Sequence, residues 1–480
     1  MSFLTPLPSY PHAGAGWASP YYNEKHKKIR DAAFAFVERE IKPHVDEWEE
    51  KRAVPNEVLR KAAKAGIVAC LVPELRNIPG VEELNVPVLA DVPLEEIDCF
   101  AIMLVNEALC SVGSTGVLWG LVGGLGIGLP PVLRFGSPYL RGLVGGPVLR
   151  GEKRICLCIT EPSGGSDVAR LKTTARRSAC GKFFIVNGLK KWITNGIWAD
   201  FFTVAVRTGS DESGMKGVSL LLIEKEREGV RTRQMQCSGA WSSGTTFIEF
   251  VDVTVPVENL IGKENEGFRL IMSNFNHERF AIAVECAVFS AVCLREASAC
   301  LAERIRGASA PLAGGGHRAA GSVEESLFKT RAEMQSLPLS EWRLVAAQDR
   351  LMDLSSKVWT LRAWVESLCF QMSRMEPQEA FLKLGAQTAL LKVQSTRIFE
   401  AVAAGTSEVM REVGVTRGTA VERLYREVRA FAIGGGSEEV MGDLAIRQQR
   451  ALSERVKQAL LVSFGGEGQE EENKKKKAAL

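Results

Sequence analysis

The spacing of apolar and polar positions divides the chain into three textures. From residue 22 to about 150 apolar residues recur at helical intervals, with a charged, periodic run at Tyr22–Trp48 and a second run at Asn56–Ala69 behind a Pro55 start. From about 151 to 265 the runs shorten and become rich in β-branched and aromatic residues. Phe183–Val186 and Leu189–Ile193 flank Asn187-Gly188, a pair that predicts a two-residue hairpin turn, and Phe201–Val206, Val218–Ile223 and Thr245–Val255 predict further strands. Beyond Gly267 the helical period returns. Phe268–Arg306 is free of glycine and proline and predicts one long helix, followed by helices over Trp342–Met375 and Glu379–Ala404.

These textures predict an α+β multidomain protein: an irregular arm at 1–21, an N-terminal helical domain at 22–150, a middle β-barrel-like domain at 151–265, a C-terminal four-helix bundle at 266–450, and a polar tail at 451–480. Gly307–Ser322, rich in glycine and alanine, reads as a loop or insertion within the bundle. Ala108–Leu133 carries no charge and is long enough to cross a bilayer. Its seven glycines and its Leu-Pro-Pro ending favour a buried helix-loop segment and no membrane span.

Composition narrows the chemistry. A net charge of +3 from 60 basic and 57 acidic residues lacks the basic footprint of a nucleic-acid binder. Eleven cysteines without a Cys-x-x-Cys pair read as reduced thiols, and the five scattered histidines argue against a metal site. Cys286, Cys293 and Cys300 recur every seven residues on one helix face, which is the spacing of a packing stripe. The first 29 residues hold no arginine and no signal-like apolar core, and the final Ala-Ala-Leu lacks the basic residue of a peroxisomal address. The expected location is cytosolic or peroxisomal.

Four segments carry candidate chemistry. Thr160-Glu161-Pro162-Ser163-Gly164-Gly165-Ser166-Asp167 follows a strand and offers backbone N–H groups and hydroxyls to a flat or anionic ligand. Lys191-Trp192-Ile193-Thr194-Asn195-Gly196 offers an aromatic face beside a hydroxyl. His277-Glu278-Arg279 opens an apolar stretch of the long helix whose one other charge is Glu285, so either glutamate is a candidate for a raised pKa and an acid/base role. Val421–Glu427 leads into Ile433-Gly434-Gly435-Gly436-Ser437-Glu438-Glu439, a glycine turn with free N–H groups ahead of a helix.

Taken in order, these segments resemble the acyl-CoA dehydrogenase family over about residues 21–449, with Asn274–Arg279 and Val421–Tyr425 similar to a fungal-type subgroup. The resemblance implies FAD between the β domain and the bundle, an acyl-CoA substrate, and an electron acceptor that is either electron-transferring flavoprotein or O₂. It also implies a homodimer or homotetramer and no nucleic-acid partner. It matches Thr160, Gly165, Ser166, Trp192 and Thr194 to flavin contacts, and Ser437 and Glu439 to further ones in the glycine turn. Many members carry the catalytic glutamate in that turn, where this chain has Gly435. Others carry it on the long helix before an arginine, as at Glu278-Arg279. The resemblance therefore makes Glu278 the base, the Gly435 N–H a donor to the enolate oxygen, and Arg279 and Asn276 substrate-side residues.

Two departures stand out. The family's Arg-x-x-Phe-Gly loop has no counterpart in Gly307–Ser322, and its Phe-Gly-Gly at the adenosine half of FAD is replaced by Met410-Arg411-Glu412. An FAD-dependent dehydrogenase with altered FAD affinity is expected. A flavin-poor paralogue acting as a scaffold and an oxidase using O₂ are the alternatives.

Overall fold

The computed structural model describes residues 19–73, 75–309 and 339–457. The arm before residue 19, most of the Gly307–Ser322 segment and the tail beyond 457 lie outside the described residues. Helix α1 (Glu24–Glu40) is capped reciprocally by Asn23 and His26. The charged, periodic run at Tyr22–Trp48 forms two helices. Pro43 removes a helical N–H, and a short turn at Lys42–His44 separates α1 from α2 (Val45–Lys51). Helices α3 (Asn56–Lys64) and α4 (Cys99–Cys110) follow, the latter capped by Asp98.

The uncharged stretch becomes α5 (Thr115–Phe135), a helix long and apolar enough for a membrane but mostly buried within the chain. Its glycines let it lie directly on the sheet. A Cβ at Gly128 would stand 2.7 Å from the Cys156 carbonyl carbon, and Thr203 Oγ1 donates to the Gly128 carbonyl at 2.8 Å.

The middle domain is one mixed sheet of β1 (Ile155–Cys158), β2 (Thr174–Arg177), β3 (Phe183–Ile193), β4 (Phe201–Arg207), β5 (Val218–Glu224), β6 (Val230–Gln234), β7 (Thr246–Pro256) and β8 (Leu260–Ile261). Its order is β6-β7-β3-β2-β4-β5-β8, with β1 added in parallel to β4. The expected hairpin at Asn187-Gly188 does not form. Both residues lie inside β3, at a register shift against β7. Asn187 exchanges hydrogen bonds with Asp252, and Gly188 makes room for Thr173, whose Oγ1 would be 2.5 Å from an added Cβ. A type I′ turn needs positive φ at both positions, and only Gly188 has it.

The C-terminal domain packs α6 (Gly267–Ser309), α7 (Leu339–Ser373), α8 (Pro377–Met410) and α9 (Ala420–Ile433), and a further helix over 438–457 lies on α8 through Met441 and Ala445. Cys286 and Cys293 are buried on the α8 side of α6, facing Ser395 and Thr406, and Cys300 is half-buried. The three domains meet around two buried carboxylates. Glu427 of α9 accepts from the Thr115 and Ala240 amides, while Glu49 of α2 accepts from the Ser114 and Ser242 hydroxyls. That junction sets the bundle against the sheet.

Candidate active site

On the sheet side, the turn after β1 is closed by reciprocal backbone bonds between Glu161 and Gly164. It leaves Gly165 and Ser166 exposed beside Thr160. Beneath it lies a buried ion pair. Glu161 accepts from Lys190 Nζ at 2.8 Å and from the Lys172 and Thr173 amides, and Lys190 Nζ also donates to the Ile159 carbonyl at 3.0 Å. Burial pushes Glu161 up, but Lys190 and the amides outweigh it and hold the carboxyl below its ordinary range. Neither Glu161 nor Lys190 stood out in the sequence. Lys190 alternates inward on a β-strand otherwise faced by apolar residues, which is the signal that marks it.

The same strand brings up the next residues. The Lys191 amide donates to the Thr160 carbonyl at 2.9 Å, which sets Trp192 alongside the turn. Trp192 has a positive φ of 60° and is 48% exposed, with Lys191 Nζ over its ring at 4.4 Å. An indole in a left-handed backbone and half open to solvent is a strained, uncovered stacking face. Thr194 lies against α5, where a Cβ at Gly123 would stand 3.0 Å from its methyl. Asn195 anchors this contact. A wide turn of α5 at Trp119–Gly123 leaves helix carbonyls unpaired, and Asn195 Nδ2 donates to those of Trp119 and Gly120 while Oδ1 accepts from the Gly124 amide. The exposed turn, the open indole and the Thr194 hydroxyl suit a flat heteroaromatic ring such as a flavin.

On the helical side, α6 and the glycine turn meet. Arg279 Nε donates to the Gly435 carbonyl at 3.1 Å, its Nη1 donates to Asn276 Oδ1 at 3.3 Å, and its guanidinium lies over Phe275. Asn276 therefore holds Arg279. Lys392 of α8, fully buried, donates to the Ala432 and Gly436 carbonyls at 3.0 and 2.7 Å. Burial pushes its ammonium down to about 8. With the turn's carbonyls engaged, the Gly435 N–H has no acceptor among the described residues. Gly435 has φ 68° and faces Ile282, whose Cδ1 would stand 2.9 Å from an added Cβ. A side chain there would take a left-handed backbone and push aside the end of Ile282, which disfavours a carboxylate at this position.

Glu278, the carboxylate expected from the sequence, directly precedes Arg279 on α6. Half-buried, it accepts from Asn274 Nδ2 at 2.8 Å, and burial pushes its carboxyl up to about 7 against the opposing pull of Asn274 and Arg279. Glu285, two turns on, is raised to about 7 by the same cause and accepts from Trp119 Nε1 at 3.2 Å. Ser437 begins the following helix, and Glu439 is exposed. Among the described residues no hydrogen bond or ion pair joins either one to the Thr160 or Trp192 segments.

At the far end of the bundle, Arg411 ends α8 with φ 56° and ψ −127°. The backbone keeps a conformation natural to glycine although the residue is arginine, at a cost of about 1–2 kcal/mol. Arg411 lines a cavity of ≈ 470 Å³ with Arg304, Arg343, Arg350 and Glu408. Arg304 caps α8 through the Val409 and Met410 carbonyls, both at 2.7 Å. Such a lining suits a phosphorylated group.

Family models match all three parts of the chain: the acyl-CoA dehydrogenase N-terminal domain at 23–152, the middle domain at 156–253, and the C-terminal domain at 265–349 and 343–449. The acyl-CoA dehydrogenase apdG of Emericella nidulans is 36% identical over 438 residues, covering 90% of this chain and 92% of that protein. The acyl-CoA dehydrogenase AFT10-1 of Alternaria alternata is 34% identical over 441 residues, covering 91% and 94%. A crystal structure of a putative acyl-CoA dehydrogenase from Mycobacterium smegmatis superposes with a TM-score of 0.72 at 28% identity, covering 90% of this chain and 99% of that one. With every domain matched in order and two fungal relatives aligned nearly end to end, the chain belongs to the acyl-CoA dehydrogenase family.

Proposed function

We propose that this enzyme oxidises an acyl-CoA thioester to the 2-enoyl-CoA using FAD, with Glu278 as the base. The observation that carries the reading is the contact of α6 with the glycine turn: Arg279 holds the Gly435 carbonyl, the residue before it is a carboxyl of raised pKa, and the Gly435 N–H has no acceptor among the described residues. The α-proton leaves to a Glu278 carboxylate oxygen, and the thioester oxygen takes on negative charge as an enolate. A fixed N–H aimed at that oxygen stabilises it without reorganisation. Asn274 orients the carboxylate, while Arg279 and Lys392 hold the turn from behind so that its amide stays aimed.

The hydride acceptor for the β-hydrogen would be supplied by FAD when bound. Thr160, Gly165, Ser166, Trp192 and Thr194 would hold its ring. The arginines around Arg411 would meet its phosphate half with guanidinium donors, where family members use glycine amides. Arg343 and Arg411 have no ion-pair partner among the described residues, which leaves them available for that contact. The residual parts of the reading are a homodimer or homotetramer and transfer of electrons to electron-transferring flavoprotein or O₂.

The test is the visible spectrum of the purified protein before and after anaerobic addition of an acyl-CoA panel. A flavin band that bleaches on addition supports the reading. No band even with excess FAD would favour the scaffold alternative, in which the strained Arg411 is decisive.

A further inference from the structure

Glu285 has no part in the proton transfer above, yet it is placed to meet the substrate. It follows Glu278 by seven residues, so it projects from nearly the same face of α6 about 10 Å further along the axis. Ile282, which faces Gly435, lies between the two. The opposite wall at this level is Trp119, whose Nε1 donates to Glu285 Oε2, and whose ring packs on Phe431 at 5.1 Å. One turn further on, Gly123 abuts Thr194. Glu285 thus lies further along α6 than Glu278, beyond the Ile282 side chain that faces Gly435.

Its bonding is incomplete. Glu285 is 8% exposed, and no cation pairs with it among the described residues. Its other oxygen, Oε1, receives no hydrogen bond. Sealed orphan oxygens do occur in this chain, on Glu49 and Glu107, but Glu285 is not among them. The free oxygen therefore keeps some accessible surface and is not sealed by protein atoms. A purely apolar acyl chain would cover it without satisfying it, which is the costly arrangement for a buried polar group. A hydroxyl would complete it.

We propose that Glu285 determines acyl specificity and that the preferred substrate carries a hydroxyl several carbons beyond the thioester, bonded to the free Glu285 oxygen. This rests on the reading of Glu278 and Gly435 as the reacting end. The probes are decanoyl-CoA and its isomers with one hydroxyl at successive carbons from the fifth to the ninth, assayed on the holoenzyme. One isomer should exceed decanoyl-CoA in kcat/KM by about 10–100-fold, mostly through KM. Glu285→Leu should abolish that advantage, bringing kcat/KM for the favoured isomer to that for decanoyl-CoA. Glu285→Gln, which keeps a hydrogen-bonding oxygen and the Trp119 contact, should retain part of it.

Wild-type protein without preference among the isomers overturns the proposal whether or not the leucine variant folds. So does a preference that survives Glu285→Leu. Bleaching by decanoyl-CoA with no gain from any hydroxyl rejects this inference alone. Failure of every ester to bleach a bound flavin rejects the dehydrogenase reading and the inference with it.

Discussion

Glu278→Gln should move activity and stability in opposite directions. The folded carboxyl is raised from 4.5 to about 7. Between those values the folded protein keeps a proton that the unfolded chain has released, so stability falls as pH rises through the window. Above about pH 7 the loss is complete. At about 1.4 kcal/mol per pH unit the gap sets a ceiling of about 3 kcal/mol, and partial exposure of Glu278 brings the expected value to about 1–2 kcal/mol. Glutamine is neutral at every pH, and its amide oxygen can still accept from Asn274. Urea unfolding should therefore find the variant equal to wild type at pH 4.5 and about 1–2 kcal/mol more stable at pH 8. Over the same range kcat should be lower by about 10²–10⁴, because an amide cannot take the α-proton. In wild type, kcat/KM should rise with pH to a plateau above about pH 7. A variant that keeps more than a tenth of the activity, or one whose stability difference does not grow with pH, would refute the assignment. If Glu285→Gln lost turnover of every ester while Glu278→Gln did not, the base would be Glu285.

Three other substitutions probe the supports. Arg411→Gly should relieve the positive-φ strain, raising stability by about 1 kcal/mol in thermal or urea unfolding. FAD titration followed by flavin fluorescence should report a changed affinity, since the same change removes a guanidinium from the cavity. Lys190→Met should destabilise the sheet by about 3–5 kcal/mol in urea unfolding, because Glu161 stays buried without its cation. Gly435→Ala should leave the protein folded, since the obstructing atom is the end of the Ile282 side chain. It should lower kcat more than it raises KM by shifting the amide, and equal kcat would remove Gly435 from the mechanism.

The three-domain order and the long helix were legible because each rests on local information. Short runs of β-branched, aromatic and apolar residues predict β4 and β5 within a residue of their observed ends, and the glycine- and proline-free run from Phe268 predicts α6. The misreadings came from contacts between distant segments. Asn187-Gly188 has the composition of a hairpin turn, but the approach of Thr173 and the pairing with Asp252 make it a bulge within one strand. The break in the first helix was visible in principle at Pro43, though the charged period runs through it. Within the site, Glu278 could be named from the arginine that follows it. Lys392 and Asn195 could not, because their roles are to fill hydrogen bonds left open by a glycine turn and by a wide helical turn elsewhere in the chain.

By itself the sequence determined which residues could do chemistry. It held a carboxylate on an apolar helix, a run of three glycines ahead of a helix, and a tryptophan-threonine pair at a strand end. It also determined the family, through ordered motifs whose residue types follow from what each must touch. Only the tertiary structure showed that Arg279 and Lys392 hold the turn's carbonyls while its Gly435 amide finds no acceptor among the described residues. The same holds for Arg411, which keeps a glycine's backbone within a cavity of arginines. The physical reason is shared: burial, hydrogen-bond satisfaction and backbone strain depend on the packed surroundings of a residue, and those come from segments far away in the chain.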